Sequence, residues 1–457
     1  MNFLRRNFLS QLGALSATAS LSSLSLMSSL AQSAPGEDYK ALVCVFLFGG
    51  NDGNNTIIPV EAGEYAAYAT ARGAQADGGV AIPLNELVAL NPATGNARFG
   101  LNPALVDLQS LWNDGALAPL FNVGTLVEPI TKAQYLSGPK PESLFSHSDQ
   151  QAQWQASLSS APSRTGWGGR LADRLASANS AAQIPLLISV AGNNLFATGD
   201  ISQPLAVPAT GNFALAGFNN SPAAQARLAA LQQIIADPTT GGKIALGTGK
   251  QFQQAIAHST VIGPILKSTT STIQPLFDAQ TSGIAKQLLQ VAKIIEARVS
   301  LGVKRQIFFV ALGGFDTHSG QIATQTKLLS ELGGALKTFY AATQQLNVAN
   351  QVTTFTLSDF GRTLKPASGG GSDHAWGNHH FIMGGAVKGR QTYGTFPTHA
   401  LDGPDDVSKE GRWLPTTSVD QYAATLATWL GLPPADLSLV LPNIGRFDAT
   451  KPDFMNI

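Results

Sequence analysis

The feature that most constrains the fold is a continuous apolar run at residues 41–48, Ala-Leu-Val-Cys-Val-Phe-Leu-Phe. A strand with one face in solvent would alternate apolar and polar residues, so this run predicts a strand buried on both faces. A Gly/Asn-rich segment, residues 49–55, follows it and predicts a loop. By the same reasoning, we predict further strands at 118–123, 185–190, 305–312, 351–357 and 381–385, and helices at 103–111, 168–178, 222–235, 284–299, 323–346 and 418–430.

Buried strands that alternate with amphipathic helices predict a mostly parallel central sheet with helices on both faces, which is an α/β three-layer sandwich. Residues 35–457 are long enough for one such domain with insertions at about 195–280. Within that insertion, the Gly-rich segment 241–249 predicts a flexible loop. Ligands bind at the carboxyl ends of the strands in sheets of this kind, so functional residues are expected in the loops that follow the strands.

Composition excludes several classes of protein. The chain has 29 basic and 29 acidic residues, and therefore lacks the basic excess that nucleic-acid binding requires. Cys44 is the only cysteine, which excludes a disulfide scaffold and predicts an inert core residue. A hydrophobic fraction of 44% with no net charge is incompatible with a disordered chain.

The first 34 residues have the layout of an export signal. Arg5 and Arg6 precede a Ser-rich apolar stretch at 12–30, and small residues at 31–34 resemble a cleavage site. The arginine pair resembles the twin-arginine variant, which predicts a periplasmic or secreted protein that is exported already folded. Membrane contact is then expected only through the export machinery. A transmembrane anchor is the alternative, and the interrupting serines disfavour it.

Two groups of candidate residues can be explained either by function or by ordinary turn chemistry. Asp52 follows the first predicted strand, where it could bind a cation, form an Asx-turn or cap a helix N-terminus. Ser143, Ser146 and His147 precede a predicted helix. A serine at a helix N-terminus could act as a nucleophile aided by the helix dipole, or could simply cap the helix.

Two further groups favour a functional interpretation. Asp316 and His318 lie two residues apart directly after a strand that ends in two glycines. Carboxylate and imidazole ligands suit Zn, Mn or Fe better than Ca. Asp359 follows another strand, Arg362 could bind an oxyanion through two hydrogen bonds, and His374 lies in a Gly-rich loop that could fold back onto the site.

The remaining histidines are predicted to contribute less. His379 and His380 begin the next strand, so they point to opposite faces and at most one of them is expected to face the site. His258 and His399 are interpreted as structural or exposed. Carboxylates and imidazoles at the ends of several strands of one sheet nevertheless predict a metal site together, more strongly than any single motif does.

These motifs, in chain order, resemble the domain-of-unknown-function 1501 family. The matching segments are the twin-arginine leader, Phe-Gly-Gly-Asn-Asp-Gly at 48–53, Ser-His at 146–147, Gly-Gly-Phe-Asp-Thr-His at 313–318, Ser-Asp-Phe-Gly-Arg-Thr at 358–363, and the histidine-rich segment 373–380. The family is similar to a branch of the alkaline phosphatase/sulfatase superfamily. The resemblance implies an alkaline-phosphatase-like sheet and a metal-centred site that hydrolyses phosphate or sulfate esters.

The resemblance also implies roles for individual residues. The implied metal ligands are Asp52, Asp316, His318, Asp359 and His374. The candidate catalytic residues are Ser146, Ser143, His147 and Arg362. The superfamily often has a histidine where Phe360 stands, and it has a longer spacing between the first Asp and His ligands. The choice between one metal ion and two is therefore open.

The leading hypothesis is an exported hydrolase of phosphate or sulfate esters that uses one or two divalent transition-metal ions, Zn or Mn. Ser146 or Ser143 would attack after metal coordination deprotonates its hydroxyl, and Arg362 would hold the non-bridging oxygens. The substrate would be a small-molecule or polymer ester. The alternative is a non-catalytic exported binding or assembly protein with a protein partner. A zinc peptidase is disfavoured because the sequence has no His-Glu-x-x-His motif.

Overall fold

A computed structural model of the protein describes residues 38–457 except 212, 215–220, 237–241 and 449–450. Contacts divide the chain after Tyr39, and Lys40–Ile457 form one compact unit. The predicted export signal at 1–34 lies outside the described residues, so export stays a prediction. Across the described part of the chain, no helix combines the length and the apolar character needed to cross a membrane.

A central sheet of eight strands organises the structure, and a small antiparallel sheet lies beside it in the order β2-β4-β3. The order in the large sheet is β11-β5-β10-β9-β1-β8-β6-β7. All its strands are parallel except β10, which runs antiparallel to both neighbours. The strands are β1 (Lys40–Phe48), β2 (Ile57–Pro59), β3 (Val88–Ala89), β4 (Phe99–Leu101), β5 (Leu117–Gly124), β6 (Leu187–Ser189), β7 (Leu205–Ala206), β8 (Arg305–Gly313), β9 (Val352–Ser358), β10 (Asn378–Met383) and β11 (Thr417–Ser418).

Helices connect most of these strands, as a mostly parallel sheet requires. They are α1 (Ala62–Arg72), α2 (Leu108–Asn113), α3 (His147–Ala156), α4 (Trp167–Leu175), α5 (Pro222–Ala236), α6 (Gly242–Lys267), α7 (Gln274–Phe277), α8 (Gly283–Glu296), α9 (Gln321–Gln345), α10 (Val419–Leu430) and α11 (Leu437–Val440). Short 3₁₀ turns lie at Gly53–Asn55, Gln75–Asp77, Leu84–Glu86, Pro103–Leu105, Lys132–Gln134, Ala176–Asn179, Ala349–Gln351, Pro434–Asp436 and Ile444–Arg446.

The central strand β1 shows why the apolar run is continuous. Leu42, Cys44 and Phe46 pack into one core cluster with Trp167 of α4 and Tyr422 of α10. The alternate side chains of β1 point to the opposite face and are also buried. On the β8 side of the sheet, α8 contacts β8 and packs against α9. Helices therefore cover both faces, which confirms the predicted three-layer α/β architecture with a mostly parallel sheet.

One local prediction is wrong. The Gly-rich segment 241–249 was expected to be a flexible loop, but residues 242–249 are the first part of α6. Glycine costs a helix about 1 kcal/mol per residue relative to alanine. Contacts of α6 with α5 and α8 supply the tertiary packing that overrides this weak local preference.

Candidate metal centre

Four side chains from three separate parts of the chain meet at the carboxyl edge of the sheet. Ligand atoms of His147, Asp316 and His374 all lie within 4.8 Å of one another. Asp316 Oδ1 is 3.2 Å from His374 Nε2 and 3.1 Å from His318 Nε2, while Asp316 Oδ2 is 3.4 Å from His147 Nε2. His318 Nε2 and His374 Nε2 are 3.0 Å apart. We call these four residues the metal-capable cluster.

Strand ends and one helix start position the cluster. Asp316 and His318 lie in the loop that follows β8, and His374 lies in the loop between β9 and β10. His147 is the first residue of α3, with Ser146 as its N-cap. Because β8 and β9 are parallel and flank β1, their carboxyl ends open onto the same edge of the sheet.

Each histidine of the cluster is held through its Nδ1 atom by an oxygen. His147 Nδ1 lies 2.7 Å from Asp359 Oδ2, and His318 Nδ1 lies 2.9 Å from Asp373 Oδ1. His374 Nδ1 lies 2.7 Å from the carbonyl oxygen of Phe145. Carboxylate and carbonyl oxygens accept hydrogen bonds, so each Nδ1 donates one. In a neutral imidazole the lone pair is then on Nε2, the atom that points into the cluster.

This arrangement fits a metal ion. Lone pairs on the Nε2 atoms of His318 and His374 would repel each other at 3.0 Å unless one ring carries a second proton or both nitrogens bind the same cation. His147 Nε2 is buried and has no hydrogen-bond partner within the described structure. Three imidazoles oriented by oxygens, together with one carboxylate, form a donor set that Zn, Mn or Fe prefers over Ca.

Electrostatics keep two of the ligands, Asp316 and His374, in the required protonation states. Burial would raise the pKa of Asp316, but the hydrogen bond and charge of Arg362, aided by His374, lower it to about 2. The pKa of His374 is lowered, mainly by burial and despite its hydrogen bond to Phe145. At neutral pH the site therefore presents an ionised carboxylate and a neutral imidazole at His374, the forms that bind metals.

Arg362 is not placed to bind a substrate, which corrects the prediction for it. Its side chain is fully buried. Every nitrogen of the guanidinium donates within the protein, to the carbonyl oxygens of Gly49, Gly50, Phe315 and Ser372 and to Asp316 Oδ1. Arg362 therefore joins the loops after β1, β8 and β9 and holds the Asp316 carboxylate in position.

Asp52 lies outside the metal-capable cluster, contrary to its predicted role. It is buried, forms an ion pair with Arg72 and accepts hydrogen bonds from Gln321 Nε2 and the backbone of Asn54. These contacts occupy both carboxylate oxygens. Asp52 therefore anchors α1 and the start of α9 under the site, a role closer to the turn-chemistry alternative.

Asp359 supports a ligand and is not itself among the grouped ligands. Its Oδ2 accepts hydrogen bonds from His147 Nδ1 and from Gln151 Nε2 at 2.8 Å. The ring of the neighbouring Phe360 has its centroid 4.9 Å from that of His147 and 4.5 Å from that of His374. Asp359 thus orients the His147 ring through its Nδ1 atom, and Phe360 packs against the rings of His147 and His374.

The two candidate nucleophiles differ in their surroundings. Ser146 Oγ donates to Asp149 Oδ2 at 2.5 Å and lies 3.2 Å from Ser148 Oγ. Ser143 is exposed and has a backbone φ of 50°. Among the described residues, neither hydroxyl forms a hydrogen bond with a member of the metal-capable cluster. Their predicted catalytic role therefore receives no support from these contacts.

The remaining histidines of the fold do not join the cluster. His379, His380 and His399 are buried, and burial lowers the pKa of each to about 3. Sequence reasoning treated His147 as a catalytic partner and did not select Asp373. The signal for Asp373 was its place directly before His374. No local signal marked His147 as a ligand, because its partners Asp316 and Asp359 are distant in sequence.

The fold and the site together define a class: an α/β protein with a metal-capable cluster of three histidines and one aspartate at the carboxyl edge of its sheet. Residues 39–434 match the family described as "Protein of unknown function (DUF1501)". The chain belongs to this family, as the motifs indicated. No curated protein is a match to the sequence.

Several solved structures are similar at low sequence identity. The lipoteichoic acid synthase LtaP from Listeria monocytogenes is 8% identical, with a TM-score of 0.34 over 90% of this chain and 76% of that one. Ps i-CgsB in complex with k-i-k-neocarrahexaose is 9% identical, with a TM-score of 0.31 over 88% and 74%. A mutant of alkaline phosphatase PafA is 10% identical, with a TM-score of 0.24 over 72% and 64%. All three TM-scores lie below 0.5.

Proposed function

We propose that the protein is a metal-dependent hydrolase of phosphate or sulfate esters. The observation that carries the proposal is the convergence of three Nε2 lone pairs and the Asp316 carboxylate, with each imidazole oriented by an oxygen on its far side. The ester class follows from the family resemblance of the motifs. His147, Asp316, His318 and His374 would hold the ion, with Zn or Mn as the expected metals.

A divalent ion in this site would polarise the ester and lower the pKa of an attacking water. The protein's own groups keep the site ready for that chemistry. Asp359, Asp373 and the Phe145 carbonyl hold protons on the Nδ1 atoms, while Arg362 keeps Asp316 ionised and in place. Because the Ser146 hydroxyl contacts Asp149 and Ser148 and, in the described structure, no member of the metal-capable cluster, we propose water, rather than Ser146, as the nucleophile.

We also propose that residues 1–34 direct export of the folded protein through the twin-arginine pathway. The arginine pair, the apolar stretch and the small residues at the expected cleavage site support this. Folding before export would let the protein acquire its metal in the cell. Replacing Arg5 and Arg6 with lysine should retain the protein in the cytoplasm with the signal uncleaved, while export of the unchanged chain continues.

The hydrolase proposal is tested on the mature chain purified without chelators. We expect transition metal to copurify, and phosphate or sulfate monoesters to be hydrolysed. Asp316→Ala should lose both the metal and the activity, whereas the surface variant Asp107→Ala should keep both, because Asp107 forms an exposed ion pair with Lys337. Metal binding without hydrolysis of any ester would instead favour a non-catalytic binding protein.

A further inference from the structure

Three cavities adjoin one another beside the metal-capable cluster. The first, about 360 Å³, is lined by His318 and Asp373 and by Lys365. The second, about 550 Å³, shares Lys365 with the first and is lined also by His399 and Ala67. The third, about 510 Å³, shares His399 and Ala67 with the second. We call them the metal-side, middle and aromatic cavities. The shared lining residues place the cavities next to one another in a series, which we call the groove, with the metal-side cavity nearest the site.

The metal-side cavity carries a cation without an acidic partner. Lys365 is exposed, and its amino group forms no ion pair within the described part of the chain. The acids in the same cavity are engaged elsewhere: Asp373 with His318 Nδ1, and Glu410 with Arg412. An anionic group beside the metal-capable cluster would therefore meet an available ammonium group.

The middle cavity is mostly apolar. Ala66, Ala67 and Ala71 of α1 contribute one wall, and Leu401 lies across from them in the lining with 38% of its surface exposed. Exposed leucines are common singly, but this one lies in a groove between a charged end and an aromatic end. Covering it with an apolar ligand would remove apolar surface from water.

The aromatic cavity ends the groove. Phe99, Phe121 and Phe396 line it, with ring centroids 4.7–4.9 Å apart. His399 lies in the same wall with 7% of its surface exposed, stacked on Trp413 at 5.6 Å. Neither ring nitrogen of His399 has a hydrogen-bond partner in the described structure. Both ring nitrogens are enclosed by the protein, so they are not accessible to a ligand, and the His399 ring adds to the aromatic wall of the cavity.

Resting on the proposed function, we infer that the substrate is a monoester of phosphoric or sulfuric acid whose alcohol is long and mostly apolar. The anionic head lies at the metal-capable cluster beside Lys365. The apolar part lies along α1 and Leu401 and ends at the phenylalanine rings of the aromatic cavity. This amphiphilic ester would match the charge, the apolar surface and the aromatic end of the groove in that order.

Calorimetric titration of the zinc-loaded mature chain tests this inference without requiring turnover. The probes are inorganic phosphate, n-octyl phosphate and n-dodecyl phosphate, each below its micelle concentration. We expect octyl phosphate to bind at least about tenfold more tightly than inorganic phosphate, and the dodecyl ester more tightly still. Leu401→Gln should remove most of the gain of octyl over inorganic phosphate. Lys365→Met should weaken all three probes, whereas the control Lys327→Met on exposed α9 surface should weaken none.

Equal affinity for inorganic and octyl phosphate, or no measurable binding of either, would overturn the inference. An octyl preference that survives Leu401→Gln unchanged would overturn the placement of the chain in the groove. Hydrolysis of the same octyl phosphate is measured separately. If octyl phosphate binds more tightly than inorganic phosphate but is not hydrolysed, the proposed function is contradicted and the inference about the groove stands. If octyl phosphate is hydrolysed but binds no more tightly than inorganic phosphate, the proposed function stands and the inference about the groove is contradicted.

Discussion

Two sets of three histidines in this protein differ in what surrounds their imidazole rings, and therefore in whether they can bind a metal. His147, His318 and His374 sit in loops or at a helix start, and an oxygen accepts the Nδ1 hydrogen of each. Their Nε2 atoms converge on Asp316. The other set, His379, His380 and His399, is buried, with Nε2 atoms that have no hydrogen-bond partner in the described structure.

The difference teaches that a metal site needs a fixed tautomer and a facing carboxylate as well as imidazoles. In β10, His379 accepts at Nδ1 from the backbone N–H of Asn122 at 3.1 Å, so its Nε2 carries the hydrogen and cannot bind a metal. His380 packs its ring 4.9 Å from that of Trp154 in the core. In these surroundings the imidazole ring serves as a buried, neutral aromatic side chain.

The comparison breaks if the two sets contribute equally to metal binding. His374→Ala should lower metal affinity more than about 100-fold, because it removes a ligand and leaves the cluster with two imidazoles. Elemental analysis after dialysis against a competing chelator measures this loss. His258→Ala on α6 is the matched control, and its metal content should equal that of the unchanged protein. Full metal retention in the His374 variant would refute the assigned ligand set.

A finer test of the comparison changes the carboxylates that orient the ligands. Asp359→Asn should lower metal affinity about 10–100-fold, because an amide that donates to His147 Nδ1 would move the hydrogen to Nε2. Asp373→Asn should have a smaller effect, since that carboxylate is half exposed and water can replace it. Competition with a fluorescent zinc chelator measures both constants. Equal effects of the two variants would contradict the difference in burial.

The buried set should reveal itself in the pH dependence of stability. The pKa of His380 is lowered to about 3, so below pH 6.5 the unfolded chain binds a proton that the folded chain does not, and stability falls as pH falls. Each such histidine contributes up to about 1.4 kcal/mol per pH unit. Asp420 has the opposite effect on stability. Burial raises its pKa to about 7 despite nearby Ser157 and Arg170, so its contribution to stability rises as pH falls.

Since these contributions overlap, the measurement is a difference. Urea unfolding of the metal-free protein is compared between pH 6 and pH 4 for the unchanged chain and for His380→Gln. In the variant, the free energy of unfolding should change less steeply with pH, by about 1.4 kcal/mol per pH unit, which is the contribution of one proton. Identical slopes would show that His380 titrates normally in the folded protein.

The smallest expected effect concerns Ser146. If water is the nucleophile, Ser146→Ala should change kcat for ester hydrolysis by less than about threefold, because the lost hydroxyl contacts are with Asp149 and Ser148, outside the metal-capable cluster. Loss of a true nucleophile would lower kcat by about 1000-fold or more. Steady-state kinetics on a phosphate monoester decide between the two, and Ser143→Ala provides the parallel measurement for the rival serine.

Much of the fold could be predicted because its signals are local. The run at 41–48 became β1 (Lys40–Phe48), and the segments 305–312 and 284–299 became β8 and α8 with shifts of a few residues at their ends. Helix α1 gave no such signal. Six of its eleven residues are Ala or Gly, and Tyr68 and Arg72 are the two of the eleven that are buried. Its importance comes from Arg72, which reaches Asp52 in the buried interior.

The sequence by itself determined which segments are strands, and therefore which loops gather at the carboxyl edge of the sheet, because burial on both faces demands continuous apolar residues. Only the tertiary structure decided which polar side chains in those loops face one another. Asp52 and Asp316 both follow strands, yet Arg72 engages the first inside the protein while the second faces three imidazoles. Each role depends on partners brought from distant parts of the chain, and spacing along a single segment carries no record of them.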